Sequence, residues 1–180
     1  MFLLVTVYFC VMKFPPLNNL LLKVIPVLLL SLLIATVGYA QPKPGETAPE
    51  IVMKDLKGKK QKLSGLRGKI VLIDFWASWC APCRKVMPDL VLLYEQYKDK
   101  GFEIYGISID NKKSDWKKAI AEDHITWMQV SEYGGWDGKT ALAWNINEIP
   151  ASFLLDKEGK VIAINPTKEI LQSYLEKLLP

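Results

Sequence analysis

The stretch Asp74-Phe75-Trp76-Ala77-Ser78-Trp79-Cys80-Ala81-Pro82-Cys83 decides how this chain folds, and it contains two of the three cysteines. An apolar run of β-prone residues, 70–73, leads into it. A helix-periodic stretch follows it, with one face formed by Val86, Leu90, Leu93, Tyr94 and Tyr97. The two cysteines are therefore predicted to lie where a buried strand gives way to a helix.

The start of a helix favours an ionised thiol. Unpaired backbone N–H groups and the positive end of the helix dipole both stabilise an anion there, so Cys80 is predicted to react as a thiolate. Cys83 lies nearly one helical turn further on and can reach the Cys80 sulfur. A structural cross-link over so short a loop would constrain the unfolded chain very little, which favours a chemical role for the pair.

The run from Phe75 to Arg84 resembles the active site of thioredoxin-fold oxidoreductases. The flanking segments 63–69 and 149–156 resemble the secreted TlpA/ResA-like branch of that superfamily, which is related to the AhpC/TSA redoxins, and the resemblance covers roughly residues 43–180. It implies an α/β, thioredoxin-like fold with a central mixed β-sheet flanked by helices. An N-terminal β-hairpin is expected, and an extra helix and strand are expected before a strand that begins at a cis-proline.

Asp74 interrupts an otherwise apolar strand. A buried carboxylate is costly unless it has partners, and burial raises its pKa toward values useful for proton transfer. The resemblance implies that Asp74 acts as the general base for Cys83, although a solvent-exposed acid at the end of the strand is the alternative. Relatives in the TlpA/ResA branch often have glutamate at the position of Val86, which leaves Asp74 as the one matching acid.

The resemblance also implies a substrate-binding surface around the cysteines. Its residues are Trp79, Ala81, Pro82, Ile149 and Pro150, with a cis peptide bond before Pro150 facing the cysteines. A cis-proline leaves the preceding backbone free to pair with an extended substrate. From the residues alone, Pro150 would be interpreted as the start of a strand.

Residues 1–40 are predicted to be a signal peptide cleaved after Ala40. They contain no acid, and an apolar run follows Lys13 and Lys23. Translation from Met12 and an uncleaved membrane anchor over residues 17–37 are the alternatives. Residues 41–48 are predicted to be a flexible linker and residues 49–180 the thioredoxin-like domain, and the folded part is expected outside the cytoplasm.

Composition excludes several other classes of function. Beyond residue 40 the chain has 21 Lys and Arg against 19 Asp and Glu, so no nucleic-acid partner is predicted. Zinc is usually bound by four ligands, whereas this part offers two cysteines and one distant histidine, His124. Haem attachment requires histidine where Arg84 stands. No metal or other cofactor is expected.

The remaining sequence predicts further elements of the domain. A hairpin is expected over 50–56 and 60–63, helices over 81–100, 114–122 and 166–178, and strands over 70–76, 102–110, 126–130, 152–156 and 161–164. A Gly-rich loop is expected over 131–139, followed by a helix through Trp144. Core packing is predicted for three tryptophans and for one face of the last helix, namely Trp127, Trp136, Trp144, Ile170, Tyr174, Leu175 and Leu178. The alternative for the tryptophans is an exposed, partner-binding surface near the redox site.

These features predict an exported thiol–disulfide oxidoreductase. Ala81 and Pro82 between the cysteines resemble reducing thioredoxins more than strong oxidants, which commonly have histidine there, so reduction of exported disulfide proteins is favoured over oxidation. Apocytochrome c is one candidate substrate, and a membrane electron-donor protein is expected to re-reduce the pair. A peroxiredoxin-like peroxidase is the runner-up, but Ala77 and Ile73 stand where peroxiredoxins have Thr or Ser and Pro. A catalytically silent binding module is the remaining alternative.

Overall fold

The computed structural model describes residues 41–179. Seven strands form one sheet: β1 (Val52–Asp55), β2 (Lys60–Lys62), β3 (Ile70–Trp76), β4 (Phe102–Ser108), β5 (Met128–Ser131), β6 (Ala151–Leu155) and β7 (Val161–Ile164). Four α-helices accompany them: α1 (Ala81–Tyr97), α2 (Lys113–Glu122), α3 (Lys139–Ala143) and α4 (Lys168–Leu178). The signal peptide, its alternatives and its cleavage point lie outside the described residues and stay predictions.

The sheet is mixed, with strand order β2-β1-β5-β4-β3-β6-β7. β3, β4 and β5 run parallel, whereas β6 pairs antiparallel with β3 and with β7. β1 and β2 form the N-terminal hairpin and attach antiparallel to β5. The thioredoxin-like α/β architecture is therefore confirmed, and α2 and β5 are the helix and strand expected ahead of β6.

The core is centred on β3 and β4, in which every residue is buried. A nearly continuous apolar run is typical of strands covered on both faces, and this pattern predicts β3 with the bounds that the structure shows. Trp144 and Phe153 pack edge to face, with ring centroids 5.0 Å apart, and both rings lie against Phe75 of β3. Trp127 and Trp144 are buried as predicted. Among residues 41–179, no helix combines the length and apolar character needed to cross a bilayer.

Two side chains predicted to face the core are exposed. Ile170 is 48% exposed, and Leu171 is buried in its place, because α4 presents Leu171 and Leu175 to the sheet. Trp136 is 41% exposed. It belongs to a short 3-10 turn, Gly135–Asp137, whose irregular backbone has no periodicity from which an inward face could be inferred.

Residues 45–48, predicted as part of a flexible linker, are paired with the start of β7. Gly45 N–H donates to Val161 O over 2.8 Å, and Val161 N–H donates to Glu46 O over 2.9 Å. Ala48 is buried, and its N–H donates to Gly159 O. The ordered unit therefore begins before residue 49.

Candidate active site

Cys80 and Cys83 lie where β3 passes into α1, as the sequence predicts. Cys80 is the N-cap of α1, and the Cys83 N–H donates to its Sγ over 3.1 Å. Pro82 is in the first turn of the helix, where a missing N–H costs nothing because that donor would be unpaired. The two sulfurs are joined in a disulfide of 2.03 Å, so this is the oxidised form of the pair.

The loop before Cys80 is held by a buried acid that the sequence analysis missed. Asp110, just beyond the end of β4, accepts hydrogen bonds from Ser78 N–H (3.0 Å) and from Ser78 Oγ (2.6 Å). Ser108 Oγ donates to the same carboxylate over 2.7 Å. Charge-assisted bonds of this kind are stronger than neutral ones, so the backbone leading into the cysteines is fixed to the neighbouring parallel strand. The signal that could have found Asp110 is an acid directly after a buried apolar strand.

Arg84 connects the first turn of α1 to the loop before Cys80 and to the end of α2. Its guanidinium donates to Ser78 O over 3.3 Å and to Glu122 Oε2 over 3.0 Å, and it also pairs with Asp123 at the end of α2. These two carboxylates hold the pKa of Arg84 above its ordinary value. Arg84, which stands where haem attachment would require histidine, thus forms structural ion pairs.

The segment before β6 faces the cysteines. The Ile149–Pro150 peptide bond is cis, as the resemblance implies. The carbonyl oxygen of Ile149 lies 3.8 Å from Cys80 Sγ. Ile149 shares an open groove with Trp79, Cys80, Ala81 and Pro82. Four of the five residues predicted to bind substrate are therefore brought together beside the first cysteine.

Pro150, the fifth, lines a different cavity, together with Asp74. This cavity of about 210 Å³ lies between α1 and α4, and its walls include Val86, Leu90 and Asn165. The cysteine groove and the Asp74 cavity are therefore lined by adjacent residues of the chain, Ile149 and Pro150.

Asp74 is buried, with 4% of its surface exposed, which removes the alternative of an acid that escapes to solvent at the strand's end. Its Oδ2 has no hydrogen-bond partner among the described residues. Burial raises its pKa from the ordinary 3.8 to about 7, because the charged form has lost its hydration. A group with that pKa can both accept and release a proton near neutral pH.

A second buried polar side chain lies in the same row of the sheet. Asp74 pairs in register with Gly106 of β4, and Gly106 pairs with Gln129 of β5. The Gln129 side chain occupies the space above Gly106, where an added Cβ would meet its Nε2 at 2.0 Å. Its Oε1 accepts from Trp76 Nε1 over 2.9 Å. The absence of a side chain at Gly106 therefore makes room for this bond, which the sequence analysis also missed.

Trp79 and Trp136 stand at the rim of the cysteine groove. Trp79 is 55% exposed, and its ring centroid lies 6.1 Å from that of Trp136. Trp136 thus belongs to the surface of the site and not to the core, which corrects the prediction of core packing for this residue. Within residues 41–179, no three His, Cys, Asp or Glu side chains lie close enough together to hold a metal ion.

Comparison with known proteins gives a consistent result. The model of the AhpC/TSA family matches residues 44–164. Thiol-disulfide oxidoreductase ResA of Bacillus cereus is 37% identical over 176 residues, covering 91% of this chain and 98% of the relative. ResA of Bacillus subtilis is 29% identical over 139 residues, covering 76% of each.

Solved structures agree. The thioredoxin domain of a thiol-disulfide oxidoreductase from Bacteroides vulgatus matches with a TM-score of 0.71 and 41% identity, covering 77% of this chain and 99% of that one. A structure described as a putative thiol:disulfide interchange protein DsbE from Chlorobium tepidum matches with a TM-score of 0.70 and 30% identity, covering 78% and 100%.

Proposed function

The chain belongs to the AhpC/TSA family and is a thiol–disulfide oxidoreductase of the ResA/TlpA-like group, and from this premise we propose that it reduces disulfides of exported proteins through Cys80 and Cys83. The observation that carries the proposal is the placement of the two sulfurs. Cys80 caps the helix and lines an open groove, whereas Cys83 does not line it, and the exposed fractions of the two residues are 4% and 1%. An entering disulfide therefore meets Cys80 first.

The reaction consists of two exchanges. The Cys80 thiolate attacks one sulfur of the substrate disulfide, forming a mixed disulfide and releasing the other substrate sulfur as a thiolate. Cys83 then loses its proton and attacks the Cys80 sulfur, which releases the second substrate thiolate. The substrate gains two electrons, and the enzyme pair ends as the Cys80–Cys83 disulfide seen here.

We assign the proton transfer in the second step to Asp74. Its raised pKa leaves the carboxylate ionised above about 7, ready to accept the Cys83 proton. The Asp74 cavity gives that proton a route toward solvent. Position 86 is valine, and the other acid lining the cavity, Asp89, is paired with Lys168 at the exposed edge, so Asp74 is the buried acid of this cavity.

Asp74→Asn is expected to slow the resolving step by about 100-fold at pH 8, since general bases typically contribute a factor of this order. In the unmodified protein the rate should rise with pH through about 7, as Asp74 ionises. In the variant this rise through about 7 should be absent, because the amide does not titrate. Rapid mixing with a disulfide peptide, followed by acid quench and mass analysis, measures the decay of the mixed disulfide.

Asp89→Asn is the matched control, because Asp89 lines the same cavity but pairs with Lys168 at its exposed edge. Its pH profile should match that of the unmodified protein. A variant at Asp74 with an unchanged profile would remove Asp74 from the mechanism.

The direction of the reaction is tested by the redox potential. A reductase should equilibrate near about −270 mV, the value for thioredoxin, whereas strong disulfide-forming enzymes lie near about −120 mV. Equilibration of the pair with glutathione buffers, read by thiol alkylation, measures it, and insulin reduction provides the activity assay. A potential near that of the disulfide-forming enzymes would contradict the assignment as a reductase and favour disulfide formation. Faster turnover of peroxide than of disulfide would contradict both assignments and favour a peroxidase.

Export and partners complete the proposal. The apolar leader in residues 1–40 supports a location outside the cytoplasm or on the outer face of its membrane, with the leader either cleaved after Ala40 or kept as an anchor. There a membrane electron-donor protein would re-reduce the disulfide, and apocytochrome c is one candidate substrate. Mass analysis of the N-terminus of the mature protein distinguishes cleavage from retention.

A further inference from the structure

Trp136 is presented to the cysteine groove by a closely packed turn. Gly135 adopts φ +57, and an added Cβ there would meet Asn111 Oδ1 at 2.8 Å. At Gly138 an added Cβ would meet Glu132 Oε1 at 2.6 Å, and that same oxygen accepts from Thr140 N–H over 2.8 Å. Glycines on both sides of Trp136 thus allow the backbone to pack against fixed neighbours, so a large apolar side chain is held at the surface.

An exposed tryptophan fixed in place costs free energy in water, which favours a binding role for it. Trp136 and Trp79 form a tilted pair whose rings are both partly open to solvent, at the rim of the groove that also contains Cys80. The groove is therefore continuous with the reactive sulfur. A polypeptide whose disulfide reaches Cys80 through this groove passes beside these two rings.

Among residues 41–179, Glu148 is the one charged side chain that lines this groove. It is exposed, and among residues 41–179 it takes part in no ion pair. The cation nearest the cysteines along the chain, Arg84, is already paired with Glu122 and Asp123. The groove thus combines two aromatic faces with one unneutralised carboxylate.

Aromatic faces and a free carboxylate both attract cations. We infer that Trp79, Trp136 and Glu148 form a subsite for a lysine or arginine side chain located one or two residues from the reacting cysteine of the substrate polypeptide. The inference rests on the proposed function and adds the class of substrate sequence that the enzyme prefers. The occupant is an extended segment of a disulfide-bearing protein, with the cation selected by charge and by the rings.

The test uses a set of synthetic disulfide peptides that are identical except at the two residues on either side of the cysteine. Lysine, glutamine or glutamate is placed at each position in turn, and the second-order rate of reduction by the pre-reduced protein is measured at low and high salt. Rates are divided by that of a small, uncharged disulfide to correct for changes in thiol reactivity. Lysine should be preferred over glutamine by about threefold to tenfold in at least one position, with glutamate slowest, and salt should weaken the preference.

Glu148→Gln and Trp136→Ala should each bring the lysine preference to within about twofold. Glu158→Gln is the charge-matched control, because Glu158 is exposed in the turn between β6 and β7, away from the groove, and this variant should keep the full preference. Circular dichroism confirms that each variant is folded.

The outcomes separate the two proposals. Equal reduction of all peptides by the unmodified protein, or a lysine preference that survives Glu148→Gln, overturns the subsite and leaves disulfide reduction standing. Failure to reduce any peptide overturns disulfide reduction, and the subsite with it.

Discussion

Cys83→Ser is expected to lower multiple-turnover disulfide reduction to the background rate while leaving the first attack by Cys80 intact. The serine hydroxyl cannot displace a thiolate from the mixed disulfide, so the covalent adduct should accumulate. Because Cys83 is buried and serine differs by one atom, the fold should persist. The Cys83 N–H that donates to Cys80 Sγ is a backbone group and stays in place in the variant.

The measurement is non-reducing electrophoresis and mass spectrometry after incubation with a disulfide peptide, then with proteins of the compartment where the enzyme resides. Cys80→Ser is the matched control, since it removes the attacking sulfur and should form no adduct. Continued turnover by Cys83→Ser would show that another group resolves the intermediate. Adducts captured from the native compartment would identify the physiological substrates.

The second large effect concerns stability and Asp74. The carboxyl has a pKa near 3.8 in the unfolded chain and about 7 in the folded protein. Below pH 3.8 both states hold the proton. Between these two values only the unfolded state releases it, so the free energy of unfolding falls as pH rises, and the loss is complete above pH 7. A difference of about three pH units corresponds to about 4 kcal/mol.

Asp74→Asn should remove this component of the pH dependence, because the amide does not titrate. Urea unfolding of both oxidised proteins, measured from pH 4 to pH 8, gives the comparison, and the difference between them should change by about 4 kcal/mol over that range. The asparagine variant should gain most at pH 8. Asp89→Asn should keep the slope of the unmodified protein, and parallel curves for Asp74→Asn would contradict the raised pKa.

Asp74 therefore has two opposite effects, one on stability and one on the reaction. At pH 8 the ionised Asp74 lowers stability, and the same lack of hydration makes it a stronger base than an exposed aspartate. A strained or destabilised group at a functional site commonly has this double character.

Much of the site could be predicted from the sequence because the decisive residues are consecutive. The run from Asp74 to Cys83 combines a strand signal, a helix start and the reactive pair, so placing one element places the others. Asp74 can be recognised as a candidate functional residue because an acid is unusual within an apolar strand. The cis bond at Pro150 came from the resemblance alone, because no local pattern distinguishes it from a strand start.

Other parts could not be predicted, for physical reasons. The bond from Asp110 to Ser78 and the position of Gln129 over Gly106 depend on which strands are neighbours in the sheet, and local periodicity does not contain that information. Trp136 was assigned to the core by its residue type, whereas the packing of the adjacent glycines determines where it points. The attachment of residues 45–48 required knowledge of the distant strand that they meet.

That attachment determines how another polypeptide can approach the sheet. Sheet edges with unpaired N–H and C=O groups invite further strands, and with them self-association. At one edge Gly45 and Glu46 occupy the backbone of Val161, and the Tyr174 hydroxyl donates to Ile162 O over 3.4 Å. The opposite edge, β2, is only three residues long and carries Lys60 and Lys62. With both borders of the sheet closed or charged, strand addition at the edges is disfavoured, and the concentrated protein should resist edge-to-edge self-association while it exchanges disulfides with extended chains.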